Sequence, residues 1–281
     1  MSAKVICVGE VLWDKLPSGI FLGGAPLNVA VNLRQLGVEV EIISAVGKDE
    51  LGSKTTDSIW SKGLSTDYIQ QNNYPTGVVE VEVSEEGQPD YEIKWPASWD
   101  FIEWNNELDD LISESDIMVY GSLAQRSPDS KRTIQRLLGR HNGTNIFDIN
   151  LRPPFNDRRL ITQSLERADI LKLNEDELRW LEPDKAEEEA LKTILKKYDL
   201  EAIILTKGAE GATLFRNNST VSVASENVKV KDTVGAGDAF LAGAIYGIIH
   251  NKSPEEILKF ANQLGGFVAS NEGATPKLNV S

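Results

Sequence analysis

At 281 residues, of which 41% are apolar, the chain is long enough to bury a sizeable core and does not have a disordered composition. Its 29 Lys and Arg stand against 43 Asp and Glu, and the net charge of −14 excludes general binding to nucleic acid or anionic membranes, which rely on clustered basic residues. One cysteine, Cys7, excludes an internal disulfide, and with only His141 and His250 it argues against a His/Cys zinc site or a conventional Ser-His or Cys-His nucleophile.

The opening "MSAKVICVGEVLW" lacks the apolar stretch of a signal peptide, and no run approaches the roughly 20 apolar residues of a membrane span, so a soluble cytoplasmic protein is expected. "KVICVG" reads as a buried strand containing Cys7, and is followed by "GEVLWD" with Asp14. "LGGAPLN" then leads into a helix. Pro26 suits its first turn, Val29, Leu33 and Leu36 form one stripe, and Gly37 ends it. Asp14 and Asn28, near the bare backbone of Gly23 and Gly24, can accept from and donate to neighbouring hydroxyls, as a sugar requires; locally they read equally as a surface loop and a helix-surface amide.

"VEIISAVG", "DIMVYG", "TNIFDIN", "DILKLN" and "EAIILT" continue the buried strands. Helical patterns alternate with them, which predicts a mainly parallel sheet covered on both faces, with ligands gathering beyond the carboxyl ends of its strands. One stretch departs from this. In "TGVVEVEVSEEGQPDYEIKW", Val79, Val81 and Val83 and then Tyr91, Ile93 and Trp95 alternate with charged residues, giving a half-exposed hairpin that turns near Gly87. It reads either as an edge pair of the main sheet or as a flap over a cleft; the flap is favoured, with the two tryptophans of "WPASWDF" suited to closing over a sugar ring. His141, in "GRHNGTN", and His250, past the last apolar residues of a helix, are expected at the surface. No repeat or linker divides the chain.

"KLNEDELRWL" places Asn174 at a strand end and Glu177 three residues on, either as a capping box or as oxygen donors to hydrated magnesium. "LTKGAEG" sets Thr206, Gly208 and Gly211 at another strand end, suited to a hairpin turn or to backbone contact with a nucleotide. In "KDTVGAGDAF", Gly235 and Gly237 free the backbone ahead of "AFLAGAIYGII", a helix apolar on nearly every face. Asp238 there is either an ordinary N-cap or, if surplus to capping, a base beside an anion hole formed by the helix N-terminus. The first strand is not followed by G-x-G-x-x-G, so the dinucleotide fingerprint is missing.

In order, "GGAPLNVAVNLRQLG", "YGSLAQR", "FDINLRPPF", "KLNEDE", "TKGAEG" and "DTVGAGDAF" resemble the ribokinase-like, or PfkB-type, carbohydrate kinases, and most closely the bacterial fructokinases, over essentially the whole chain. The resemblance implies a three-layer α/β/α sandwich with a mainly parallel central sheet and a small β lid, formed as one domain over residues 1–281 with lid segments near 11–24 and 76–100. It implies ATP-dependent transfer of a phosphoryl group to a primary sugar hydroxyl, with fructose as the expected acceptor. Other members act on 2-keto-3-deoxygluconate, ribose or nucleosides, and a non-catalytic sugar-binding relative is the competing class. Asp238 would be the base, with Gly235, Ala236 and Gly237 in the anion hole. Asp14, Gly24 and Asn28 would hold the sugar. Asn174 and Glu177 would organise Mg2+ through its waters, and Thr206, Gly208 and Gly211 would line the path of ATP. Arg152 is similar to an arginine that faces substrate or phosphate in related kinases, or serves as a structural salt bridge. Asp232 and the Val234 carbonyl, with the segment around Asn271 and Gly273, match a K+ site, Asp232 otherwise reading as a turn former. A homodimer through the lid is expected.

Overall fold

The computed structural model describes residues 3–16, 19–83, 89–217 and 219–278. A nine-stranded sheet forms its centre, in the order β13-β12-β11-β10-β9-β8-β1-β4-β5. Its strands are β1 (Lys4–Val8), β4 (Glu39–Gly47), β5 (Ile69–Asn72), β8 (Ile117–Gly121), β9 (Thr144–Asp148), β10 (Ile170–Asn174), β11 (Ala202–Thr206), β12 (Ala212–Arg216) and β13 (Ser219–Val223). All neighbours pair in parallel except β12, which is antiparallel to both of its partners.

The strands are continuous apolar runs because both faces are covered. Along β1 the side chains alternate between two cores. Val5 and Cys7 pack under α1 (Ala25–Gln35), α8 (Ala236–Ile249) and α9 (Pro254–Ala269), whereas Ile6 and Val8 join the cluster under α3 (Asn106–Ser113), α4 (Pro128–Leu138), α5 (Arg158–Leu165), α6 (Glu175–Leu181) and α7 (Glu187–Tyr198). The helix α2 (Glu50–Ser61) adds Ile59 to the first core. Cys7 is buried and free, and its surroundings push its thiol pKa upward.

The ends of α1 follow from its sequence: Pro26 lies in the first turn, and Gly37, at φ 80°, donates its N–H to Arg34 O beyond the last turn. Residues 236–249 form the buried central helix expected of them, with Ala239, Leu241, Ala242 and Ile245 fully enclosed.

A second sheet of four strands runs β3-β2-β6-β7, from β2 (Leu12–Leu16), β3 (Gly19–Gly23), β6 (Gly77–Val83) and β7 (Pro89–Ile93). β2 pairs antiparallel with β3 and parallel with β6, and β6 antiparallel with β7. The hairpin therefore belongs to a separate small sheet rather than to the edge of the main one. Its turn near Gly87 and the side chains of Val81, Val83 and Tyr91 lie outside the described residues. The small sheet is fastened to the body by Trp13 Nε1, which donates to Thr55 Oγ1 at 2.8 Å, and by Arg126, which donates to Lys94 O at 2.7 Å.

Two expectations are corrected here. Trp99 does not close over a ligand: it is fully buried with the Arg126 guanidinium 4.0 Å above its ring, while Trp95 is 65% exposed. Arg126 is neutralised by both oxygens of Asp100, so the tryptophan, cation and carboxylate form one enclosed stack in the core. His141 is buried too, with Nδ1 at 2.8 Å from Asn145 Oδ1 and Nε2 at 3.2 Å from Ser115 O, because the polar turn around it folds back under the sheet's amino end. His250 is at the surface, on the last turn of α8.

Candidate active site

The decisive feature is the start of α8. Gly235 caps it in the left-handed region at φ 76°, and a Cβ there would fall 2.4 Å from that of Ala274, so only glycine fits. Asp238 is the third residue of the helix and its carboxylate makes no cap; Oδ2 instead accepts from Asn28 Nδ2 at 2.8 Å. The N–H of Ala236 is turned to Thr233 O, whereas those of Gly235, Gly237 and Asp238 meet no acceptor among the described residues. Unpaired N–H groups at the positive end of a buried helix form an anion site.

Asp238 is half-buried as a residue. Burial raises its pKa; the Asn28 hydrogen bond opposes this, Asp148 adds to it, and Lys172 and Arg152 lower it. Asn28 is held at the first turn of α1 by the approach of the chain to β1. Gly24, at φ 115°, leaves no space for a Cβ, which would sit 2.3 Å from Glu10 O. Asp14 occupies a strand, β2, rather than a surface loop, and its carboxyl is pushed up to about 6 by burial, with Arg152 lowering it and Asp232 and Asp238 raising it. These mutual effects put Asp14, Arg152, Asp232 and Asp238 within electrostatic reach of one another, and the space among them is the candidate opening. Arg152 is exposed, donates to its own neighbour Leu151 O, and makes no ion pair among the described residues, so the structural salt bridge is not formed.

Beneath the opening, Lys172 Nζ reaches both oxygens of Asp148 at 2.9 and 3.0 Å, and lies 3.4 Å from where a Cβ on Gly237 would be. Burial lowers the Lys172 pKa, but Asp148, Glu177 and Asp238 outweigh this and raise it, so the ammonium stays charged. Asn174 and Glu177 form a reciprocal capping box at the start of α6: Asn174 Oδ1 accepts from Glu177 N–H at 2.9 Å, and Glu177 Oε2 from Asn174 N–H at 2.8 Å. Glu177 Oε1 also accepts from Leu151 N–H, tying α6 to the segment that carries Arg152.

Thr206, Gly208 and Gly211 lie where β11 turns into β12, the hairpin being closed by Lys207 N–H donating to Gly211 O at 2.8 Å. Asp232 accepts from Val234 N–H through Oδ1 and from Gly273 N–H through Oδ2, at 3.0 and 3.2 Å. The two halves of the suspected cation loop are thus brought together. Among the described residues no group of three or more His, Cys, Asp and Glu is arranged to hold a metal.

Against this geometry the comparisons with known proteins are specific. The model of the pfkB family of carbohydrate kinases matches residues 19–280. The chain belongs to that family. This pfkB-family carbohydrate kinase is 30% identical to a putative sugar kinase of Pyrococcus horikoshii, over 95% of this chain and 85% of that one. It is 28% identical to a fructokinase of Escherichia coli, over 99% and 97%. The crystal structure of a fructokinase of Xylella fastidiosa with bound ATP superposes with a TM-score of 0.87 at 24% identity, covering 98% of this chain and 94% of that one. The fold is that of the ribokinase-like kinases, as the sequence motifs imply.

Two residues beneath the candidate opening went unread in the sequence. A lysine inside the apolar run "DILKLN" requires a buried carboxylate partner, and "FDIN" supplied one; that signal identifies Lys172 and Asp148.

Proposed function

We propose that this kinase transfers the γ-phosphoryl group of ATP to a primary hydroxyl of a sugar, with fructose as the acceptor and fructose 6-phosphate as the product. The observation that carries the reading is a carboxylate surplus to capping, Asp238, at the mouth of a helix whose leading N–H groups are unpaired. Asp238 takes the proton of the attacking hydroxyl through the oxygen not held by Asn28, and its raised pKa makes it a stronger base than an exposed aspartate. The Gly235 and Gly237 N–H groups, with that of Asp238, meet the charge of the phosphoryl group in flight. The Ala236 N–H is already engaged with Thr233 O, so Ala236 contributes its place in the turn rather than a donor. Asp14, Gly24 and Asn28 hold the sugar, and Arg152 faces it from the opposite rim.

Thr206, Gly208 and Gly211 line the nucleotide's path. Asn174 and Glu177 would engage Mg2+ through its waters: the Glu177 oxygens each accept one backbone N–H and keep a lone pair for a water. Magnesium would neutralise phosphate charge. Asp232, the Val234 carbonyl and the segment around Gly273 would take K+, whose charge would strengthen the neighbouring anion site. A second copy of the chain would dock on the small sheet, and the cytoplasm is the expected compartment; among the described residues no helix is long and apolar enough to cross a membrane.

A coupled ADP-release assay across ketoses, aldoses, sugar acids and nucleosides, with and without potassium, tests the assignment. Fructose should give the highest kcat/KM, and potassium should raise it. A sugar acid or a nucleoside at the head of the panel would replace fructose without disturbing the reaction class.

A further inference from the structure

Buried polar atoms are nearly always paired, so those that are not point to a missing partner. Three lie just past β1, on α1 and just past β8: Glu10 Oε2, Asn28 Oδ1 and Ser122 Oγ. Glu10 is 3% exposed and Ser122 1%, and both line one small cavity of about 10 Å³, room for a single water-sized group such as a hydroxyl, at the carboxyl ends of β1 and β8, roofed by Ala25 and Pro26 and reaching Asp148. β1 has β4 on one side and β8 on the other, so this is where the strand order reverses, the crevice in which open α/β sheets bind ligands. An ionised carboxylate only accepts, whereas a serine hydroxyl also donates. A sugar hydroxyl serves both, donating to Glu10 and accepting from Ser122. An anionic group would serve Glu10 poorly, since an ionised Glu10 repels it and Asp238 acts on the same place with the same sign.

Resting on the sugar-kinase reading, we infer that Glu10 and Ser122 form a specificity subsite that binds a second hydroxyl of a neutral sugar and disfavours acceptors bearing a carboxylate or phosphate. The cost to the ligand-free protein is visible: burial pushes Glu10 up to about 7, against its own N–H, Arg152 and the Ala25 N–H, which lower it, and Asp238, which raises it further.

The test uses the full chain, with Glu10→Ala, Glu10→Gln and Ser122→Ala variants, fructose and 2-keto-3-deoxygluconate as probes, and thermal melting without ligand at pH 8. Glu10→Ala should raise KM for fructose roughly 10- to 100-fold with kcat changed less than about 3-fold, and Ser122→Ala should raise it less. Glu10→Gln should melt no lower than wild type, since a residue kept for binding and not for packing costs stability when buried and ionised. An unchanged KM in Glu10→Ala, or a lowered melting temperature in Glu10→Gln, overturns the subsite while leaving wild-type fructose turnover in place. Wild-type preference for the sugar acid over fructose overturns both the subsite and the fructose reading.

Discussion

Asp14 shows how a single side chain sets a pH response. Its carboxyl is pushed up to about 6 chiefly by burial, and in the proposed site it would have to be ionised to accept sugar hydroxyls. The kcat/KM for fructose should therefore fall as pH drops through about 6, and Asp14→Asn should remove the share of that limb that belongs to Asp14, leaving those of Glu10 and Asp238, while raising KM at pH 8. A wild-type profile flat from pH 7 to 5 would remove Asp14 from sugar binding. The linkage runs the other way for stability. A carboxyl whose pKa is raised on folding favours the folded state fully below its unfolded pKa near 3.8, and that contribution is lost as pH rises through about 6. In the proposed site, sugar binding and stability therefore favour opposite protonation states of the same group.

Among the elements, the junction of the small sheet with the body rests on Arg126. Its guanidinium, 2% exposed, bonds both oxygens of the fully buried Asp100 and the carbonyl of Lys94 just after β7. Arg126→Ala strands a buried carboxylate and should cost about 3–5 kcal/mol in denaturant unfolding. Adding Asp100→Asn should recover part of it, and a loss under 1 kcal/mol would show that the clamp is not holding the junction. This arrangement also marks the limit of what the sequence made legible. β1, β4, β8, β9, β10 and β11 were readable because strands buried on both faces must be apolar throughout. β2 and β3 mix polar and apolar residues within five positions each, so no local period announces them, and although they pair with each other, β2 joins the small sheet only through β6, far along the chain. Trp99 was misread for the same reason: its partner Arg126 is distant in sequence, and nothing in "WPASWDF" shows that a cation covers the ring. Asp238, by contrast, was recognisable by motif, yet its freedom from capping is a fact of geometry, decided by Gly235 taking the cap position and Asn28 taking one oxygen.

For the whole molecule, the excess of acidic residues keeps most of the surface hydrated, and the small sheet is where that breaks down. β3, its outer strand, leaves Ile20 56% and Phe21 39% exposed along an unpaired edge. The proposed dimer would cover this edge, so sedimentation at assay concentrations should give about twice the 31.0 kDa chain mass and Ile20→Lys should shift it to the monomer. A wild-type monomer would dispose of the dimer without touching the chemistry, because every group around Asp238 discussed above comes from a single chain. That chemistry rests on Asp238 acting as a base, and Asp238→Asn keeps its shape and its bond to the α1 amide while removing its basicity. ADP release with saturating fructose, measured beside thermal melting, should fall by about 100-fold or more in a variant that melts like wild type. Turnover within a few-fold of wild type in that folded variant would contradict the account.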